Sequence, residues 1–224
     1  MEALNLEKII NAVRTHMPGP VGNWRYCSVL LPLVERDGAI YVLYEVRSQE
    51  LDVQPGEVSF PGGGVEEGET PACAALRETV EELGLPAEAV EIVSELDYLI
   101  SHGNIILYCF LGVIDADALA KASVNRAEVK DYFLVPLAWL IENNPEVYVN
   151  TILSEPAAGF PIEKLAPGGN YNWRKGTSEV PVYTWFDPEA GEERIIWGMT
   201  GRLTMAFVEL CRNAIAQPHA ESTV

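Results

Sequence analysis

Three carboxylates, Glu78, Glu81 and Glu82, stand at i, i+3 and i+4 in one segment of the chain. At 100° per residue this spacing gathers them on one side of a helix, while Leu76, Val80 and Leu83 fall on the other. Like charges one turn apart repel, and no matched set of cations stands at i±4 on that face to relieve them. A divalent cation would relieve them, and hard oxygen donors suit Mg2+ or Mn2+. Arg77 is placed to pin one carboxylate through a bidentate pair. A Glu-rich helix is commonly nothing more than a solvated acidic face. Here Gly62-Gly63-Gly64 and Glu69 stand at fixed distances ahead of the helix, and together they favour chemistry over solvation.

The elements that must position these groups are legible around them. Thr70 is a suitable N-cap and Pro71 fits the first turn, where its missing N–H costs nothing. Gly84 suits a left-handed C-cap, with Leu85 folding back and Pro86 stopping the helix. Upstream, Leu4, Leu6, Ile9, Ile10 and Val13 recur at helical spacing, so an amphipathic helix is expected over about residues 4–16. Tyr26–Val34 and Ala39–Val46 read as strands joined by an Asp37-Gly38 hairpin turn, followed by a Gly-rich loop at 61–64. Further strands are expected over Ile92–Ile100, Ile105–Ile114 and Val129–Val135, the last running into a short helix at Leu137–Asn143. Residues 154–180, with their Pro and Gly, read as a loop-rich insertion. Val182–Phe186 and Arg194–Trp197 can pair across Asp187–Glu193, a last helix covers about 199–215, and the tail 217–224 reads as disordered. Mixed strands with helices before, between and after them predict one α/β layered domain over 21–216, preceded by an N-terminal helical extension over 1–20.

Composition narrows the partners. With 33 acidic against 15 basic side chains the net charge is −18, which argues against a nucleic-acid binder, since phosphate backbones are held by clustered Lys and Arg. An acidic protein that handles an anionic substrate needs a cation between the two. No stretch approaches the ~20 apolar residues needed to span a bilayer, and no secretory signal is visible at Met1–Glu7. Cys27, Cys73, Cys109 and Cys211 are scattered, with no CxxC pair, so reduced and mostly buried thiols and a cytoplasmic location are expected.

The segment 60–86 resembles the Nudix box: Gly, five residues, Glu, seven residues, then Arg-Glu-apolar-any-Glu-Glu-any-Gly-apolar. Gly63, Glu69, Arg77, Glu78, Glu81, Glu82, Gly84 and Leu85 fill it in register; Thr79 departs from the usual aliphatic residue, although its methyl can still face the core. The resemblance implies an α/β/α sandwich with a mixed β-sheet, and hydrolysis of a nucleoside diphosphate linked to another moiety by metal-activated water. It implies Glu78 and Glu82 as first metal ligands. Glu81 is a further ligand, a water-positioning group or the base, and Glu69 is accessory.

A second resemblance, to the coenzyme A diphosphatase branch of that family, runs from Val46-Arg47-Ser48 through Leu51 and Pro55-Gly56-Glu57-Val58-Ser59 to Phe60-Pro61-Gly62-Gly63. Asn125, Glu128-Val129, Val135-Pro136-Leu137 and Ile196-Trp197-Gly198-Met199-Thr200 also resemble that branch. It implies coenzyme A or its thioesters as substrate, 3′,5′-ADP and a 4′-phosphopantetheine compound as products, and Arg47, Phe60, Pro61, Gly62 and Gly63 as the substrate and phosphate loop. One position departs: the branch has an Arg four residues before the Gly that is Gly56 here, and this chain has Asp52. Arg47 or Lys130 could stand in for it. ADP-ribose or a dinucleotide is the alternative substrate.

Other residues invite two readings. His102 and Asn104 lie between strands, where a lone His is more often structural. Glu128, in a loop before a strand, is either an exposed loop carboxylate or an extra acidic group of the site. Trp139, Trp173, Trp185 and Trp197 could stack on adenine, but such residues are usually core, Trp197 first among them. Ser28, Ser59 and Ser101 show no His–Asp partnership. A nucleotide-binding regulator without catalysis is a further reading, against which the intact Glu set argues. A homodimer contact would fall on the N-terminal helix or on 154–180.

Overall fold

The structure, a computed structural model, describes residues 5–169 and 171–216; the expected disordered tail lies outside them. The chain begins with helix α1 (Leu6–Arg14), N-capped by Asn5. Strand β1 (Arg25–Arg36) turns through Asp37 and Gly38, both at positive φ, into β2 (Ala39–Arg47). Short strands β3 (Val58–Ser59) and β4 (Gly62–Gly64) lead to helix α2 (Pro71–Leu83), followed by a single 3-10 turn at Ala87–Ala89. Strands β5 (Val90–Glu95), β6 (Leu99–Ser101) and β7 (Ile105–Ile114) follow, then helix α3 (Ala116–Leu119), β8 (Val129–Pro136) and helix α4 (Leu137–Glu142). The last part comprises β9 (Glu146–Ile152), helix α5 (Ile162–Leu165), β10 (Gly176–Asp187), β11 (Glu192–Ile196) and helix α6 (Gly198–Ala216).

Strands β1 to β8 form one mixed sheet in which β1 and β7 are parallel, Arg25 opposite Ile105 through Leu33 opposite Val113, and the other pairs are antiparallel. β1 and β2 pair from their turn as far as Leu33 and Val42; beyond that β1 takes β4 as partner and β2 takes β3. The chain from 58 to 64 therefore fills the wedge between two splayed strands.

Period-2 alternation divides the core between two faces. Leu30, Val34 and Leu43 point to the face that α2 covers with Ala75 and Leu83. Leu31, Val42, Tyr44 and Val46 point to the other, where Leu203, Phe207 and Val208 of α6 and Tyr183 and Ile196 of the smaller β9–β11 sheet close over them. Helices on both sides of a mixed sheet make the expected α/β/α sandwich. By contrast, α1 has no buried residue, and its apolar stripe of Leu6, Ile9, Ile10 and Val13 is exposed. Among the described residues, no helix is long and apolar enough to cross a membrane.

Several local expectations need correction. The Gly-rich loop is a strand, because Gly62–Gly64 pairs with Val29–Cys27. The single strand read over Ile92–Ile100 is two, β5 and β6, with a register shift between Ile92 and Ser94. The loop-rich insertion is shorter than expected, since residues 176–180 belong to β10 and pair with β9, a strand that the pattern did not announce. Trp197 is 43% exposed, and it is Ile196 that enters the core. The four thiols are free, but Cys109 alone is buried and Cys73 is exposed.

Candidate active site

Helix α2 has the ends its sequence requires. Thr70 Oγ1 accepts the Cys73 N–H at 3.2 Å, Gly84 adopts φ 64°, and the Leu85 N–H returns to the Val80 carbonyl at 3.1 Å. A Cβ on Gly84 would lie 2.1 Å from the Ser123 carbonyl oxygen, so close packing as well as conformation calls for glycine there. Thr79, the departure from the family pattern, is fully buried, and its hydroxyl donates to the Ala75 carbonyl at 2.7 Å.

The three carboxylates of the helix sit at different depths. Glu81 is exposed, Glu78 is largely covered and Glu82 is 3% exposed. Glu82 therefore does not lie on the side opposite Leu83, where the 100° step groups it with Glu78 and Glu81. It shares the stripe of Ala75, Thr79 and Leu83 that faces the sheet, and its carboxylate accepts the Gly62 N–H at 2.8 Å. Gly63 makes room for Glu78: a Cβ there would stand 2.3 Å from Glu78 Oε1. Glu128 is exposed, but its segment is tied down on two sides. Asn125 N–H donates to the Glu82 carbonyl at 2.8 Å, and Ser48 N–H to the Glu128 carbonyl at 2.7 Å. As a result, ligand oxygens of Glu78, Glu82 and Glu128 all lie within 4.8 Å of one another. Three hard oxygen donors at that separation fit a divalent cation of the Mg2+ or Mn2+ type.

Arg77 braces this acidic edge. Its Nε and Nη2 meet Glu69 Oε1 and Oε2 at 3.0 and 3.1 Å, Nη2 also donates to the Gly64 carbonyl at 3.1 Å, and Nη1 reaches Glu78 Oε1 at 3.0 Å and Glu81 Oε2 at 3.3 Å. The bidentate partner is Glu69, whose carboxyl is held below its ordinary value first by Arg77 and then by the Glu66 N–H. Burial pushes the Glu78 carboxyl up despite Arg77, and pushes Glu82 up further with the help of the Glu45 charge.

Glu45 escaped the sequence reading. It lies two residues after Leu43 in β2, so alternation turns it to the face beneath α2, where it is 1% exposed. Ser59 Oγ donates to its Oε1 at 3.1 Å, and Oε2 has no hydrogen-bond partner among the described residues. The signal available in the sequence was a Glu at a core-facing position of an otherwise apolar run.

The remaining candidates divide. Arg47 closes the 48–56 loop by accepting the Gly56 N–H at 3.2 Å and donating to the Glu57 carbonyl at 2.9 Å; its Nη2 reaches the Val53 carbonyl at 3.4 Å and its Nε is unpartnered. Asp52 is exposed in that loop. Phe60 and Pro61 are buried, Phe60 stacking on Tyr44 with ring centroids 5.0 Å apart, so they anchor the loop from the core. His102 is exposed. Trp139 and Trp185 pack edge to face at 4.9 Å, and Trp173 packs against Tyr171 and Phe160. A cavity of about 780 Å3 opens along β8, lined by Arg36, Asp131, Tyr132 and Trp185, and Glu78, Glu82 and Glu128 do not line it.

The sequence model of the NUDIX domain matches residues 25–152, which span every residue of the acidic site. The chain belongs to the Nudix family. The peroxisomal coenzyme A diphosphatase NUDT7 of Mus musculus is 33% identical to this Nudix protein over 80% of the chain and 66% of its own length. Nudix hydrolase 3 of Caenorhabditis elegans is 43% identical over 51% of the chain and 49% of its own length. The uncharacterized Nudix hydrolase NudL of Escherichia coli is 30% identical over 80% and 78%. This Nudix chain thus spans between about half and two thirds of the first two relatives.

Proposed function

We propose that this Nudix protein is a divalent-metal-dependent diphosphatase that hydrolyses coenzyme A or its thioesters to 3′,5′-ADP and a 4′-phosphopantetheine compound. The observation that carries the reading is the convergence of Glu78, Glu82 and Glu128 within 4.8 Å, from a helix and a loop far apart in the chain. Glu78, Glu82 and Glu128 would hold Mg2+ or Mn2+, which when bound would supply charge neutralisation at the diphosphate and lower the pKa of a water for attack on phosphorus.

The protein groups have separate tasks. Gly62 N–H keeps the buried Glu82 carboxylate in a fixed direction, and Arg77 does the same for Glu78 while tying the helix to Glu69. Glu81, exposed and reached by Arg77 at 3.3 Å, is the proposed acceptor of the attacking water's proton. Arg47, whose Nη2 is held only by the Val53 carbonyl at 3.4 Å, is the basic side chain assigned to a substrate phosphate. Identity to a coenzyme A diphosphatase over four-fifths of the chain supports that choice of substrate. Asp52, which brings a negative charge where the branch has an Arg, favours the second reading, an ADP-ribose or dinucleotide diphosphatase.

Mass-resolved product analysis distinguishes the two. With Mg2+ and a mixture of coenzyme A, ADP-ribose, NADH and diadenosine polyphosphates, the expected outcome is loss of coenzyme A and appearance of 3′,5′-ADP. Cleavage of another diphosphate with coenzyme A intact would transfer the proposal to the second reading. No cleavage with either Mg2+ or Mn2+ would overturn both.

A further inference from the structure

Glu45 is a buried carboxylate that neither the cation ligands nor the core explains. It is 1% exposed, only one of its oxygens has a hydrogen-bond partner, and that partner is the Ser59 hydroxyl. The charged groups that act on it are Glu128 and Glu78, which repel it, and Arg47, which attracts it; Glu82 carries the reciprocal repulsion from Glu45. A carboxylate in such a place is costly to the fold unless a positive charge balances it. Arg47 spends its Nη2 on the Val53 carbonyl, and Arg77 is occupied by Glu69, Glu78 and Glu81.

Resting on the cation reading above, we propose that Glu45 is a positioning residue of the cation site: a divalent cation held by Glu78, Glu82 and Glu128 balances its charge, and that charge in turn strengthens their hold on the cation. The two facts that carry this are the orphaned, buried Oε2 and the place of Glu45 on the same sheet face as Leu43, near enough to Glu78, Glu82 and Glu128 for their charges to act on one another. A purely structural Glu45 would need only its bond to Ser59.

The test is binding of Mn2+ alone, read from the free-ion electron paramagnetic resonance signal, with the Mn2+-induced rise in Tm measured beside it. Wild type, Glu82→Gln, Glu45→Gln and Ser59→Ala are compared. Glu45→Gln keeps an acceptor for Ser59 but removes the charge, so the expected result is an increase in Kd of about 10–100-fold and a smaller Mn2+-induced Tm rise. Its Tm without metal should equal or exceed that of wild type. Ser59→Ala, which frees the carboxylate from its tether, should weaken Mn2+ binding by about three- to tenfold.

Unchanged Mn2+ affinity in Glu45→Gln, with wild type binding and Glu82→Gln not, would overturn the role of Glu45 and leave the cation site standing. No Mn2+ binding by wild type would overturn the cation reading and this inference together. Should Glu45→Gln not fold, a folded Ser59→Ala with wild-type affinity would overturn the role by itself.

Discussion

The Gly62 N–H and the Glu82 carboxylate meet at 2.8 Å across twenty positions of chain. That bond ties the acidic helix to the strand in front of it and fixes the direction of the buried carboxylate. Gly62 and Gly63 of this strand should consequently fail in different ways. At Gly62, with φ 150°, a Cβ would fall 2.3 Å from the Ser28 carbonyl oxygen and 2.6 Å from Val29 Cα, so backbone must move. Gly62→Ala should lose about 2–4 kcal/mol of stability, read by denaturant unfolding. At Gly63 the obstruction is the end of a flexible side chain, Glu78. Gly63→Ala should stay within about 1 kcal/mol of wild type and yet lower activity by tenfold or more, about 1.4 kcal/mol in the barrier. Equal losses of stability in the two variants would contradict this division.

Arg77 bridges Glu69 and Glu78 with a planar fork that Lys cannot reproduce. Arg77→Lys should therefore retain the fold and lose about 10–100-fold in kcat or in Mn2+ affinity. A fully active Arg77→Lys enzyme would show that charge alone suffices there.

Burial and mutual repulsion raise the carboxyls of Glu45 and Glu82, Glu45 from 4.5 to about 7. Both groups hold protons in the folded protein that the unfolded chain has released. Their contribution to the stability of the metal-free protein is complete below about pH 4.5 and is lost as pH rises through the folded values. In the presence of a chelator, the Tm of wild type relative to Glu45→Gln should fall between about pH 5 and about pH 8. Bound Mg2+ should remove that trend, since it replaces the protons. A relative Tm that climbs with pH in chelator would contradict the assignment.

Thr79 tests a smaller point. Its hydroxyl bonds a helix carbonyl that retains its own backbone partner, so Thr79→Val leaves no orphan and should change stability by less than about 1 kcal/mol. A loss of several kcal/mol in thermal unfolding would mean that the hydroxyl holds more than its own turn.

How far the sequence carried depended on how local the signal was. The ends of α2 were readable because caps are one-residue devices, and Thr70, Pro71 and Gly84 stand where the helix begins and ends. The hairpin at Asp37-Gly38 was readable for the same reason. The depth of Glu82 was not, because it depends on how α2 rolls against a sheet whose splayed strands admit the Gly62–Gly64 strand. Whether Glu128 joined Glu78 and Glu82 was equally a matter of two loops docking, through Ser48 and Asn125. β9 went unread because nearly all of it is exposed, leaving no in–out alternation to detect.

The central claim is that metal-activated water cleaves a diphosphate held at Glu78, Glu82 and Glu128. Its most direct test is hydrolysis of coenzyme A in 18O-water with Mg2+, by wild type and by a folded Glu82→Gln variant, with both products weighed. The account predicts equal amounts of 3′,5′-ADP and 4′-phosphopantetheine from wild type, one 18O on a phosphate of one product, and no turnover by Glu82→Gln. Undiminished, labelled turnover by Glu82→Gln would contradict it.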